Sequence, residues 1–246
     1  MFLISVTFTE DSDSDRSAQR SSNTRRQVLA GSAGTLGAFA LGGAFATPVV
    51  AGGDEHDDDE DDGPPVMPED EFQDDIEILN FARTLELLEF RFYEQGLTNI
   101  SEQELVGCGL LKDFGDPITD NVYAYLETIR DHEAIHADTL AAVVQDLGGE
   151  PVAEPQFDFG TAVQEPAEFI ATAVALEDTG VAAYAGAAPF IENENLVPPA
   201  LSIHSVEARH ASYLRVLDRQ IPFPEPFDET LSRSEVLEIA SQFIVE

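Results

Sequence analysis

One pattern occurs twice in this chain, and it commits the chain to helices. Leu85-Glu86 precedes Tyr93, and Leu176-Glu177 precedes Tyr184; each tyrosine lies seven residues after its glutamate. Seven residues make two helical turns, so glutamate and tyrosine share a face. Downstream of each stands a Glu-x-x-His, first Glu133-Ala134-Ile135-His136 and then Glu207-Ala208-Arg209-His210. At that spacing a carboxylate and an imidazole project from one side of a helix. The chain is therefore an internal duplication in which Glu86 matches Glu177, Glu133 matches Glu207 and His136 matches His210. One such carboxylate–imidazole pair grips a metal ion, and two pairs face to face grip two. A single Glu-x-x-His is more often a solvated surface pair. Two of them, each preceded by the same Leu-Glu…Tyr helix, carry more weight.

Hydrophobic spacing extends this to an all-α chain. Ile76, Leu79, Phe81, Ala82, Leu85, Leu88 and Phe92 place a first helix over 72–95, stopped at Gly96. A capping pattern at Ser101-Glu102-Gln103-Glu104 opens a short helix. A second long helix is expected over 120–147, closed by Gly148-Gly149. A third runs over 166–191, tolerates Gly180 and Gly186, and is kinked or ended by Pro189. A fourth starts near Pro198-Pro199 and ends near Arg219; Pro222, Pro224 and Pro226 then force extended chain, and a short helix over 232–243 finishes it. No alternating strand pattern is longer than a few residues. The long middle connection lets helix three run parallel to helix two, the crossover of one class of four-helix bundle. The tail over 221–246 either covers the bundle or joins a partner.

Charge decides what the surface can meet. The 246 residues include 48 Asp plus Glu against 12 Lys plus Arg, a formal charge of −36, and Lys112 is the only lysine. Nucleic-acid binding through a basic face is excluded. Such a surface repels itself and is best tolerated in concentrated salt, so halophilic adaptation is expected. Stability indifferent to KCl between millimolar and molar would contradict that expectation. One cysteine, Cys108, excludes an internal disulfide and a thiolate zinc site; in its loop it is expected to be inert.

The first 53 residues are expected to be a disordered start and an export signal. Thr24-Arg25-Arg26-Gln27-Val28-Leu29 precedes an uncharged, Ala/Gly-rich stretch to Gly53, with cleavage sites at Ala44-Phe45-Ala46 or Val49-Val50-Ala51. This resembles a twin-arginine signal, a route that exports proteins already folded and suits a cofactor loaded inside the cell. Retained instead, the stretch is long enough to anchor in a membrane. Cleavage near residue 51 removes four acids and four bases, leaving the charge at −36. Residues 54–71 are an acidic linker unable to bury apolar area, and His56 within it is expected to be a solvated bystander. The folded domain is then 72–246.

The ligand pattern resembles the ferritin-like di-iron carboxylate superfamily, in which two helices each give a Glu and two others each give a Glu-x-x-His. Ile78-Leu79-Asn80-Phe81-Ala82, Leu85-Glu86-Leu87-Leu88-Glu89 and Glu177-Asp178-Thr179-Gly180-Val181-Ala182-Ala183-Tyr184 resemble one branch of it. That branch comprises exported ferritin-like proteins related to desiccation-related proteins, here in a haloarchaeal-type acidic sequence. The resemblance covers 72–219. It implies a ferritin-like four-helix bundle with a long crossover between helices two and three, holding two Fe or two Mn ions. Glu133 and Glu207 would bridge them, Glu86 with His136 would complete one, and Glu177 with His210 the other. Tyr93 and Tyr184 would lie nearby as hydrogen-bond donors or radical quenchers, or as plain core aromatics. Glu89 is the alternative to Glu86, disfavoured because its match in helix three is Gly180. His132 and His204 are expected off the ligand cluster, with His204 at most behind it. Arg130 and Arg209 either offset the carboxylate charge or pair on the surface.

Converging buried carboxylates repel, so a metal-free bundle would be expected to replace some of them. The resulting expectation is an exported protein whose dinuclear centre reacts with dioxygen or peroxide, in a ferroxidase, peroxidase or catalase-like manner. A homodimer is compatible with it, and membrane contact follows only from a retained anchor. The alternative is a non-catalytic envelope protein of desiccation or salt stress, with a structural or vestigial metal site.

Overall fold

The computed structural model describes residues 65–245. The expected disordered start, the export signal and most of the acidic linker lie outside the described residues. Four long helices follow: α1 (Asp75–Asn99), α4 (Val122–Asp146), α5 (Pro166–Ala187) and α6 (Val197–Leu217). Two short helices, α2 (Glu102–Gly107) and α3 (Asp116–Thr119), bridge α1 to α4, and α7 (Arg233–Ala240) lies near the C-terminus. None of the described helices is long and apolar enough to cross a membrane.

Local chemistry sets most boundaries. The Asp74 carboxylate accepts from Glu77 N–H at 2.9 Å and starts α1. Ser101 with Glu104, and Ser232 with Glu235, form reciprocal capping boxes that start α2 and α7. Gly148, in the left-handed region at φ 83°, closes α4. Pro189 stands just past the end of α5, which stops at Ala187 rather than reaching 191.

Gly96 does not stop the first helix: α1 continues to Asn99. A Cβ at 96 would overlap the Phe169 ring, so this glycine serves the close approach of α5 to α1. Gly186 does the same for the tail, since a Cβ there would strike the Leu231 carbonyl. The tail thus lies on its own chain: Leu231 N–H donates to Ala182 O at 3.2 Å and Ser234 N–H to Glu71 at 2.6 Å.

The crossover is visible in its hydrogen bonds. Val152 N–H donates to the Asn80 side chain near the start of α1. Arg91, three turns on, pairs with Glu154 at 2.5 Å, and Asn99 at the helix end donates to Val163 O. The connection therefore travels the length of α1 and delivers α5 parallel to α4. A two-residue strand in it, β1 (Gln156–Phe157), pairs antiparallel with β2 (Ile244–Val245). Pairs this short leave no alternation for a sequence reading to detect.

α1 packs mainly along α4 and α5 mainly along α6, with α1 against α5 across the middle. One end of the bundle is filled by aromatics: Phe92 stacks on Phe169 at 5.0 Å and meets Phe159 edge-on at 5.3 Å. The other end holds an apolar cavity of about 50 Å³ among Ile78, Ala82, Leu140, Ala183 and Ile203. Between these ends lies a layer of buried charge.

A candidate dinuclear metal centre

Each long helix brings a glutamate into that layer. Glu86 from α1, Glu133 from α4, Glu177 from α5 and Glu207 from α6 are all at most 1% exposed. His136 and His210 join them one turn after Glu133 and Glu207. The structure thus brings all six expected ligand residues together.

The atoms fall into two matching sets. His136 Nδ1 lies 3.1 Å from a carboxylate oxygen of each of Glu86, Glu133 and Glu207. His210 Nδ1 lies 3.0 Å from Glu133, 3.2 Å from Glu177 and 4.0 Å from Glu207. In each set one nitrogen and three carboxylates come within 4.8 Å of one another, and Glu133 and Glu207 belong to both sets. A single Nδ1–H cannot donate to three oxygens at once. Accordingly Glu133 Oε1 and both oxygens of Glu207 are buried without a hydrogen bond. A cation at each set would satisfy all of them, so the donor set fits two metal ions sharing two carboxylates.

The tyrosines are crossed between the halves. Tyr93 donates to Glu177 Oε1 and Tyr184 donates to Glu86 Oε1, each at 2.6 Å. This occupies one oxygen of each terminal glutamate and leaves Oε2, the atom facing the histidine, free for coordination. The tyrosine of each half therefore orients the carboxylate of the other.

Electrostatics without a metal show the same strain. Burial raises Glu86 to about 7, opposed by its hydrogen bond from His136. Burial also drives Glu207 up, and the neighbouring charges of Glu86, Glu133 and Glu177 add to it. Glu133 goes the other way: against its burial, the hydrogen bond from His136 and the charges of both imidazoles hold it at about 2. Against their own burial, these carboxylates raise His136 to about 12 and His210 to about 9. Imidazolium protons thus hold the positions that metal charge would take.

One residue sits differently from expectation. His132 is not off the cluster, for its Nδ1 is 3.0 Å from His210 Nε2 and the rings stack at 5.2 Å. Its own pKa is lowered by burial and by the His210 charge. A neutral His132 can accept the Nε2 proton of a His210 that coordinates through Nδ1. The contact depends on how α4 meets α6, although its spacing one turn before His136 was a clue. Glu89 is buried at 3% exposure alongside Glu86, but of the two only Glu86 joins a metal set, as expected. Arg130 and Arg209 engage Asp131 and Ser205 on the surface. Among the described residues, His204 Nε2 has no hydrogen-bond partner, and His204 joins no metal set. Cys108 is half-buried, packed against the core.

A ferritin-like domain model matches residues 74–220, more than half of the chain and the whole span that carries these ligands. The chain belongs to the ferritin-like domain family. No curated protein matches it. The ferritin-like match ends near the close of α6, so α7 and β2 lie beyond it.

Proposed function

We propose that this ferritin-like protein holds two iron or two manganese ions and reacts with dioxygen or peroxide. The observation that carries the reading is the pair of nitrogen-plus-three-carboxylate sets that share Glu133 and Glu207. Glu86 and His136 complete one position; Glu177 and His210 complete the other. An iron or manganese pair supplies the redox chemistry toward dioxygen or peroxide that carboxylates and imidazoles lack. The chain's own residues position and insulate it. Tyr93 and Tyr184 fix the terminal carboxylates, His132 steadies His210, and the aromatic packing of Phe92 and Phe169 keeps water from one side. From the other side the apolar cavity reaches Tyr184, a lining that favours dioxygen over a charged oxidant.

The N-terminal twin arginines and the acidic composition support export and work in concentrated salt, in a role of stress protection. The test is turnover of dioxygen and of peroxide after reconstitution with iron or with manganese, in wild type and in Glu133→Ala/His210→Ala. Turnover lost in the double variant, with helix content retained, supports the enzyme. Absence of turnover in wild type with either metal, together with a lower melting temperature after metal removal, assigns the centre to stability instead.

A further inference from the structure

The duplication breaks at one point inside the charged layer. Three residues after Glu86 comes Glu89; three residues after its match Glu177 comes Gly180. Glu89 is 3% exposed and, among the described residues, has neither a hydrogen-bond nor an ion-pair partner. The small space beside it is bounded by Leu85, Leu88 and Leu176, by Thr179 and Gly180 of α5, and by Ile239 and Ala240 of α7. Among the described residues lining that space, none is basic. The charged groups that act on it are Glu207, Glu177, Glu86 and Glu133, and with burial they push its pKa well up. A buried carboxyl among apolar side chains, pressed electrostatically by other carboxylates, is a poor core residue and a good ligand for a cation.

Gly180 is what admits it. A Cβ at 180 would stand 3.0 Å from Glu89 Oε1 and 3.6 Å from Glu207 Oε2. A contact at 3.0 Å forces the neighbour to move, and here the neighbour is the carboxylate itself. Helix α5 has ordinary helical backbone at this glycine, so the missing side chain serves space rather than a turn. Glu89 and the notch at 180 are one device, a carboxylate on one helix and the room for it on the facing helix.

We infer that Glu89 is a seventh protein ligand of the dinuclear centre, acting with Glu86 and on the side of Glu207, and that Gly180 exists to seat it. This rests on the reading of the cluster as a dinuclear site. The two metal positions are then inequivalent, because the second half of the duplication offers no carboxylate at the matching place.

The experiment is titration of the metal-free protein with Co(II) in high salt, following the visible ligand-field bands and the number of ions bound. Wild type is expected to bind two ions with two distinguishable sets of bands. Glu89→Gln, which keeps size and packing, should still bind two, with one ion weakened roughly tenfold or more and its bands shifted. Gly180→Ala should shift the same bands, and combining the two changes should add little beyond Glu89→Gln alone, because both act through one carboxylate. Glu89→Asp, which retains the charge on a shorter stem, should recover part of the wild-type spectrum and covers the case of a poorly folding Gln variant. Two ions in wild type with bands and affinities unchanged in Glu89→Gln would overturn this assignment alone. No uptake of cobalt by wild type would overturn the dinuclear reading and this assignment with it.

Discussion

The half built from α1 and α4 and the half built from α5 and α6 carry matching ligands but do not surround them alike. Each supplies a terminal glutamate, a Glu-x-x-His and a tyrosine. Only the first half has Glu89, where the second has Gly180, and only the first has His132, where the second has Val206. Both additions lean on the second half: His132 touches His210, and Glu89 presses toward Gly180 and Glu207. The tyrosines cross over too. The duplication repeats the candidate ligands, and the departures from it surround the two sets unequally and bring the halves into contact.

The largest expected effect tests the two shared carboxylates against each other. Both Glu133→Ala and Glu207→Ala should abolish binding of the metal pair. In the metal-free protein they should diverge. Glu133 lies between the two imidazoles, so its removal takes a close carboxylate partner from both at once and should cost about 3–5 kcal/mol in urea denaturation. Glu207 has two buried oxygens without hydrogen bonds and is repelled by its neighbours, so its removal should cost far less or stabilise. Equal losses would remove the distinction.

pH separates the metal-free from the metal-loaded protein. Glu86 is raised from 4.5 to about 7 and His210 from 6.5 to about 9. A raised folded value contributes stability below the unfolded value and loses it as pH climbs through the folded one. Metal-free protein should therefore weaken between pH 4.5 and 9, by on the order of 3 kcal/mol from Glu86 alone. Metal binding displaces those protons, so the loaded form should gain over the same range. The depressed Glu133, Glu104 and Glu235 act only below pH 4.5, while the depressed His132 opposes the trend below pH 6.5. Melting temperatures with and without chelator at pH 5 and pH 8 check it. A constant gap would contradict the placement of protons on the ligands.

The tyrosines should behave as equals. Tyr93→Phe and Tyr184→Phe each remove a 2.6 Å hydrogen bond to a buried carboxylate and should each cost about 1.5–3 kcal/mol. Markedly unequal losses would show that the crossed pairing is not symmetric. The smallest effect belongs to His132. His132→Gln should weaken only the ion held by His210, by roughly tenfold, with the other unchanged. Metal titration resolves the two.

Much of this was legible beforehand for a physical reason. Periods of three, four and seven residues lie within single helices, so Glu86 with Tyr93, and Glu133 with His136, could be paired without knowing any contact. The long connection before Pro166 announced the crossover. What escaped depends on approach between elements. Gly96 resembles a helix stop until Phe169 is seen filling the space where its side chain would be. The partner of each tyrosine, the seat of His132 and the packing of the tail on Gly186 are likewise settled only when helices meet. Glu89 was the intermediate case. Its mismatch with Gly180 was visible as an irregularity, yet the same mismatch, once folded, is what lets the side chain in.

The most direct test of the account is elemental analysis of folded protein purified in high salt without added metal, beside Glu133→Ala. The account predicts about two iron or manganese ions per chain, lost in the variant, because two coordination sets share that carboxylate. A wild-type protein that carries no metal and takes up neither iron nor manganese on reconstitution would contradict it.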